Sequence, residues 1–537
     1  MNRSLLLPLR AMVTVMFALV LALALVVIPI PQRAESKALS TVEVQILGLN
    51  ETHGQLVPLS SGGTQLGGAA ALATYLEQEE AENPNTLIID SGDFMQGPAI
   101  SSFSEGECTV DVFNEIGVDA VAVGNHEFDW GQDTLQERIA QADFPFLANN
   151  IVEEATGETP EYLAPYEVFN LEGVNVGVVG VGNPDTENVA IPSNIEGLSF
   201  YDIQQTAQAV EDSVAELQQQ GVETIVLTAH MGLVSPTEGP LADMLNLLSN
   251  KTAKEIDFVL AGHIPLEIST EINGIPVIQP LGNTRGYADV TLTIDQNTGD
   301  VVGFEAETDT VYTQEVTADA RVQRIVDRCA REVQRALGEV VGEAASPITR
   351  GTGETEMGNF VTDAMRDYAL HIDPEVDFAF TNSGGLRADI DQGPITLEEI
   401  YAVLPFNNTI VLMDLTGAQV IQVLEEGADH PSYGTVQVSG LEWTYDANAP
   451  FGSRVTEVRL PDGQLIDPTA TYTIATNNFM AAGGDQFTTL TQGTNVVDTQ
   501  VNLVDAVVHY LELYSPVDPQ VEGRLTTCQG CSLMLQP

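Results

Sequence analysis

A chain of 537 residues with 44% hydrophobic content is long enough for two or three domains with substantial cores. Its 77 acids oppose 19 bases, a formal net charge of -58, and Lys37, Lys251 and Lys254 are its only lysines. Such a surface repels phosphate backbones and argues against nucleic-acid polymers as partners, while a small nucleotide met by metal ions and a few arginines stays compatible.

Arg3 and Arg10 precede an uncharged run from Ala11 through Gln32, which reads as an export signal. The run is longer than a usual cleavable core, and the small-residue sites Ala34-Glu35-Ser36 and Ala38-Leu39-Ser40 are imperfect. Residues 1–40 are therefore expected to be a removed signal peptide or a retained N-terminal membrane anchor. The expected location is the periplasm, the medium or the cell surface. In an exported chain, Cys528 and Cys531 suit a small disulfide better than a zinc half-site, because no second ligand pair follows. Cys108 and Cys329 either pair or stay free.

The first strand, Val42 to Leu47, is followed by Asn50-Glu51-Thr52-His53-Gly54. An acid and an imidazole two residues apart, just past a strand, can both face one metal while Thr52 points away. Gly67-Gly68 opens a helix from Ala69 to Gln78. The next strand, Thr86 to Asp90, runs into Gly92-Asp93-Phe94-Met95-Gln96-Gly97, and a helix over about 109–116 leads to an apolar strand, Val118 to Val123. That strand ends in Gly124-Asn125-His126-Glu127-Phe128-Asp129, the stretch around which the chain is organised. Val174 to Val181 is a strand and Phe200 to Gln220 a helix. The strands at 224–228 and 256–260 end in Ala229-His230 and Gly262-His263.

Five strands thus each end in a candidate ligand, and four of the seven histidines sit at these ends. A single core histidine is ordinarily satisfied by hydrogen bonds. Four at equivalent strand ends, joined by Asp93 and Asn125, point instead to the ligand position of open α/β sheets. The chemistry that needs this set is metal-assisted hydrolysis, with two divalent ions about 3.5–4 Å apart activating water and holding a phosphoryl oxygen. Asp93 is the natural bridging carboxylate. His126, paired with Asp129, is better placed to stabilise the transition state or protonate the leaving oxygen than to ligate.

These motifs, in this order, resemble the calcineurin-like metallophosphatase domain of the 5′-nucleotidase family, which includes UDP-sugar hydrolases and 2′,3′-cyclic-nucleotide phosphodiesterases. The resemblance implies a four-layer α/β/β/α domain over residues 41–315. It assigns Glu51, His53 and Asp93 to one metal site, and Asp93, Asn125, His230 and His263 to the other. The implied ions are Mn, Zn, Co or Mg, with His126 and Asp129 as the catalytic dyad. Two departures stand out. The family's first motif carries Asp where this chain has Glu51. Its last motif carries His or Gln where this chain has Pro265, which leaves the first site short of a donor and implies that it is the weaker one.

After the β-rich stretch from Ala288 to Tyr312, Ala318 to Val341 reads as one long helix, its five arginines forming a solvated or interdomain face. A linker is therefore placed at 316–345, followed by a second domain at 346–526, for which the family resemblance implies an α+β nucleotide-binding fold, and a tail at 527–537. Asn382-Ser-Gly-Gly385-Leu-Arg387, Leu404-Pro-Phe406-Asn-Asn408 and Asn478-Phe479 before Gly483-Gly484-Asp485 set two phenylalanines in turns, where they suit a clamp on a flat base. This half resembles the C-terminal domain of the same family. The match implies Phe406 and Phe479 about the base, with Asn382, Arg387, Asn408 and Asp485 around the rest of the nucleoside and phosphate. The implied function is an exported hydrolase releasing phosphate from nucleoside 5′-monophosphates. Cyclic-nucleotide or nucleotide-sugar cleavage would use the same metals, and a silent nucleotide-binding surface protein is the reading that Glu51 and Pro265 favour.

Overall fold

The computed structural model describes residues 40–530 except 62, 407, 431 and 432. The expected export segment, save Ser40, lies outside the described residues, as do Asn407, Cys531 and the end of the expected tail.

The first half of the chain builds two six-stranded sheets. In one, Thr41–Leu49, Thr86–Asp90, Ala120–Ala122 and Phe146–Leu147 run parallel, and Gly286–Asp295 and Val301–Thr310 extend it antiparallel. In the other, Val174–Val181, Thr224–Ala229, Phe258–Ala261 and Ile275–Gln279 run parallel between two antiparallel edges. The central strands Thr224–Ala229 and Phe258–Ala261 are buried at every residue. That is the burial expected of parallel strands covered on both faces, and it is why they read as unbroken apolar runs.

Val44, Ile46, Leu87 and Ile89 of the first sheet meet Val176, Val178, Phe258 and Leu260 of the second in a shared core. The outer faces carry helices: Ala69–Glu82 and Glu107–Ile116 on one side, Ile203–Gln219 and Pro240–Leu247 on the other. The result is the expected four-layer α/β/β/α stack. All five turns with candidate ligands leave parallel strands at their carboxyl ends, so the stack itself gathers them.

Element ends shift where capping chemistry decides them. The helix expected from Phe200 starts at Ile203, because Leu198–Phe200 pairs as a strand and Asp202 forms a reciprocal capping box with Gln205. The long helix expected over 318–341 spans Ala320–Leu337. The Asp319 carboxylate accepts the N–H groups of Arg321 and Val322 at its start. The chain then enters a strand, Val340–Ala344, paired with Gly393–Thr396. The stretch expected as one linker thus divides between a helix and a strand of the second half.

That helix buries Val322, Val326, Cys329, Val333 and Leu337, one stripe at helical spacing. Each such side chain contributes roughly 1.5–3 kcal/mol on burial, whereas an exposed ion pair contributes about 0–1 kcal/mol. Val322, Val326 and Cys329 therefore hold the helix against the first half, while Val333 and Leu337 lie between Ala99 of that half and Leu397 and Tyr401 of the second. The bonds from Arg321 to Glu77 and from Arg328 to Asp111 decorate its outer face. Cys329 is disulfide-bonded to Cys108, which answers the question of their pairing.

The second half is built on a mixed five-stranded sheet, with Val376–Thr381, Thr471–Asn477 and Thr409–Thr416 at its centre. Helices Glu356–Ile372 and Leu503–Tyr514 cover one face. Helix Gly417–Glu426 and a three-stranded sheet containing the buried Trp443 cover the other. Leu525–Cys528 is a strand of that small sheet, paired parallel to Glu442–Asp446, so Thr527 and Cys528 continue the fold where a tail was expected.

Candidate metal centre and substrate cleft

The turns after the strands are held in conformations that side chains rarely adopt. Glu51, His53, Asp93 and His263 have φ between 45° and 71°, in the left-handed region. Each costs of order 1–3 kcal/mol and persists only where surrounding bonds enforce it. Those bonds are present. His53 and Gly54 donate their N–H groups to the carbonyls of Asp93 and Phe94 at 3.0 and 2.8 Å, which ties the first two turns together. Glu127 is almost fully buried and accepts the N–H groups of Asp93, Phe94 and Gly124 at 2.8, 3.0 and 2.7 Å. One carboxylate thereby fixes the Asp93 turn to the Asn125-His126 turn. Two glycines permit the close approach. A Cβ on Gly97 would stand 1.7 Å from the His53 carbonyl oxygen, and one on Gly124 would stand 2.2 Å from Asp93 Oδ1.

Asp93 lies at the middle of the resulting cluster. Ligand atoms of His53, Asp93 and His126 lie within 4.8 Å of one another, and so do those of Asp93, His230 and His263. Asp93 Oδ2 is 3.0 Å from His230 Nε2, while Asp93 Oδ1 accepts the His126 N–H at 2.8 Å. Glu51 joins both groups: Oε2 is 3.2 Å from His53 Nε2, and Oε1 accepts the His263 N–H at 2.9 Å. His53 Nδ1 donates to the Gln96 carbonyl at 2.9 Å and His230 Nδ1 to the Ser91 carbonyl at 2.8 Å, so each ring is left with Nε2 toward the acids. This backbone anchoring is how metal-binding imidazoles are oriented. Burial opposes the charged form of Asp93, but His230, His126 and His53 hold it well below the usual carboxylate range. His263 is pushed down to about 4 by burial and by the His230 charge, which keeps a lone pair available.

The donor set fits divalent ions: two carboxylates, three imidazoles and an amide oxygen converge, with Asp93 common to both clusters. Asn125 is buried, and its Oδ1 accepts from Asn183 at 3.0 Å with a second lone pair to spare. Pro265 is exposed and adds no donor. Beside the first site, the buried Gln96 side chain has neither its oxygen nor its nitrogen partnered within the protein.

His126 is held differently from the others. Its Nδ1 bonds Asp129 Oδ2 at 2.8 Å, and its ring stacks on Phe406 from the second half at 5.8 Å, with 17° between planes. Although burial opposes its charge, Asp129 and Asp93 lift it to about 9.

Between the halves lies a cavity of about 520 Å³, within the range of small-molecule sites. Asn125, His126, Asp129 and His263 line it from one half, and all six substrate candidates line it from the other. Arg387 is exposed in the cleft, its guanidinium 5.7 Å over the Phe406 ring. Asn382 donates to Asp485 at 2.7 Å and accepts from Asn477 at 3.1 Å, which fixes both groups at the wall. Burial raises Asp485 to about 6 despite the Asn382 bond. Asn408 Oδ1 is buried without a partner, and Phe479 lies against Gly484 where a Cβ would clash. Asn183, Asp185 and Tyr433 also line the cavity, and Tyr433 donates to Asp185 Oδ2 across the halves at 2.9 Å. Sequence reasoning gave no role to these three, nor to Glu127 and Gln96. The last two stand inside the motifs already singled out, so their place was the available signal.

Fold and site together define a metallophosphoesterase, with ligand-bearing turns at the strand ends of a two-sheet stack facing a second domain. Residues 44–267 match the family model for calcineurin-like phosphoesterases, and residues 339–492 match that for the 5′-nucleotidase C-terminal domain. The chain belongs to the 5′-nucleotidase family, in which these two domains occur together. It is similar to the solved 5′-nucleotidase precursor from Thermus thermophilus, with 28% identity and a TM-score of 0.78 over 90% of this chain and 99% of that one. Snake venom 5′-nucleotidase of Naja atra is 28% identical over 91% of this chain and 99% of its own length. Endonuclease YhcR of Bacillus subtilis is 31% identical over 92% of this chain, which spans only 41% of that relative.

Proposed function

We propose that this protein is an exported, metal-dependent phosphohydrolase that releases phosphate from nucleoside 5′-monophosphates. The observation that carries the reading is that Arg387 and Phe406 of the second half stand at the His126 dyad, beside the Asp93 cluster of the first. Glu51, His53 and Asp93 would hold one divalent ion, and Asp93, Asn125, His230 and His263 the other; such ions would supply an activated water and neutralise phosphoryl charge. Arg387 then meets the phosphate with planar donors. His126, charged and oriented by Asp129, stabilises the developing charge on the phosphoryl group or gives its proton to the leaving 5′-oxygen. Phe406 and Phe479 offer faces to the base, and Asn382, Asn408 and Asp485 offer polar atoms to the ribose.

Export is supported by the Cys108–Cys329 disulfide, because such bonds persist in oxidising compartments. The relatives include a cell wall protein of Listeria monocytogenes. Among the described residues no helix is long and apolar enough to cross a membrane. The name of the Bacillus subtilis relative raises cleavage of a polymer; the formal charge of -58 opposes it.

The test is phosphate release from AMP by the chain lacking residues 1–40, stripped of metal and resupplied with Mn²⁺, Zn²⁺, Co²⁺ or Mg²⁺, beside His126→Ala. Metal-dependent release that the variant loses supports the reading. AMP binding with no release under any metal overturns it, and release only from cyclic nucleotides or nucleotide sugars moves the substrate.

A further inference from the structure

Seven histidines occur in the chain, and four belong to the centre described above. Of the other three, His371 and His509 come together on the second half. Asp367 and His371 are four residues apart on the helix Glu356–Ile372 and so share a face. The neighbouring helix Leu503–Tyr514 sets His509 against them, its ring 5.3 Å from that of His371 and nearly perpendicular to it. A ring nitrogen of each histidine and a carboxylate oxygen of Asp367 lie within 4.8 Å of one another. Two donors on a tetrahedral zinc ion, each at about 2.0–2.2 Å, stand about 3.3–3.6 Å apart, so side-chain rotation has to draw the three together on binding.

The supporting bonds match that use. Asp367 Oδ2 is shielded from solvent and accepts no hydrogen bond, while Oδ1 accepts from the Tyr514 hydroxyl at 2.8 Å, which orients the carboxylate. His371 Nδ1 donates to the Asp367 carbonyl at 2.8 Å, which leaves the lone pair on Nε2. An i,i+4 ion pair is the plainer account of Asp367 and His371. Their nitrogen and oxygen are 4.0 Å apart, however, and that nitrogen already serves the carbonyl, so the pair leaves Oδ2 unsatisfied.

We propose that Asp367, His371 and His509 form a site for one further divalent cation of the zinc class, separate from the catalytic centre, which fastens the two helices that cover the second half's sheet. Two imidazoles and one carboxylate suit zinc, with water completing the shell. The acidic surface enriches cations near it.

The test counts zinc. The chelator-stripped chain and its His371→Ala/His509→Ala variant are loaded with Zn²⁺, dialysed and assayed for bound metal. The expected result is one ion fewer per chain in the variant, with a smaller zinc-induced rise in Tm. Equal zinc content overturns the proposal. His371→Gln keeps the size and polarity of the position and covers a double variant that fails to fold; it should lose the same ion. In zinc-soaked crystals of the unaltered chain, anomalous density is expected between the three side chains, and its absence there overturns the site.

Discussion

At the scale of single residues, His126 and Glu127 are neighbours with opposite tasks. His126 faces the cleft and carries charge because Asp129 and Asp93 outweigh the cost of burial, which lifts it to about 9. If the imidazolium is the working form, kcat/KM for AMP should fall as pH rises through about 9. Asp129→Asn removes the anion that holds the proton, so the falling limb should move to lower pH; an unmoved limb in the pH–rate profile would assign it to another group. His126→Ala should lose about 10²–10⁴ in kcat. Glu127 never reaches the cleft, yet three backbone N–H groups converge on its carboxylate. Glu127→Gln replaces one accepting oxygen by a donor against those N–H groups. It should weaken metal binding about 10–100-fold, the cost typical of disturbing the groups that orient ligands, and metal titration of the variant checks this.

At the scale of elements, the helix Ala320–Leu337 is fastened by its apolar stripe and by the Cys108–Cys329 bond, which closes a sequence separation of 221 residues. Cys108→Ser with Cys329→Ser should cost about 2–5 kcal/mol, seen as a lower midpoint in guanidinium. The turn into Phe258–Ala261 holds a second lever. Burial raises Asp257 from 3.8 to about 7, although its carboxylate accepts the Ile225 N–H. The folded chain therefore keeps a proton that the unfolded chain has released between these values. That contribution is complete below about pH 4 and is lost as pH climbs from about 4 to 7. Asp257→Asn retains an acceptor for Ile225 and cannot ionise. It should be more stable than the parent by on the order of 1–2 kcal/mol at about pH 8 and equal to it near pH 4, measured by chemical denaturation at both.

At the scale of the molecule, His126 and the proposed substrate-facing residues come from different halves and line one cavity. The His126–Phe406 stack and the Tyr433–Asp185 hydrogen bond join the halves at this cavity, and Ile191 packs on the core of the second half. We infer that the halves reorient between binding and turnover. The disulfide ties Ala320–Leu337 to the first half, which places the pivot at the end of that helix, near Gly338. Cysteines at 185 and 433 joined by a short thiol crosslinker should abolish repeated turnover of AMP, with recovery when a cleavable linker is cut. Undiminished turnover in the linked protein would exclude the motion.

The sequence by itself determined the turns that carry the candidate ligands, because parallel strands buried on both faces leave an apolar run that stops at glycine and a polar side chain. Asp93, Asn125-His126, His230 and His263 are legible in this way. It also determined the two-part plan, because each half carries its own periodicity and its own motifs. Where strands yield to helices depended on local caps such as Asp202 and Asp319, whose bonds exist only once the first turn forms. The Cys108–Cys329 pairing, the buried role of Glu127 and the meeting of Asp367, His371 and His509 were decided by tertiary structure alone. Each joins residues distant in the chain or turns a side chain away from its own motif, and packing rather than local propensity sets those positions.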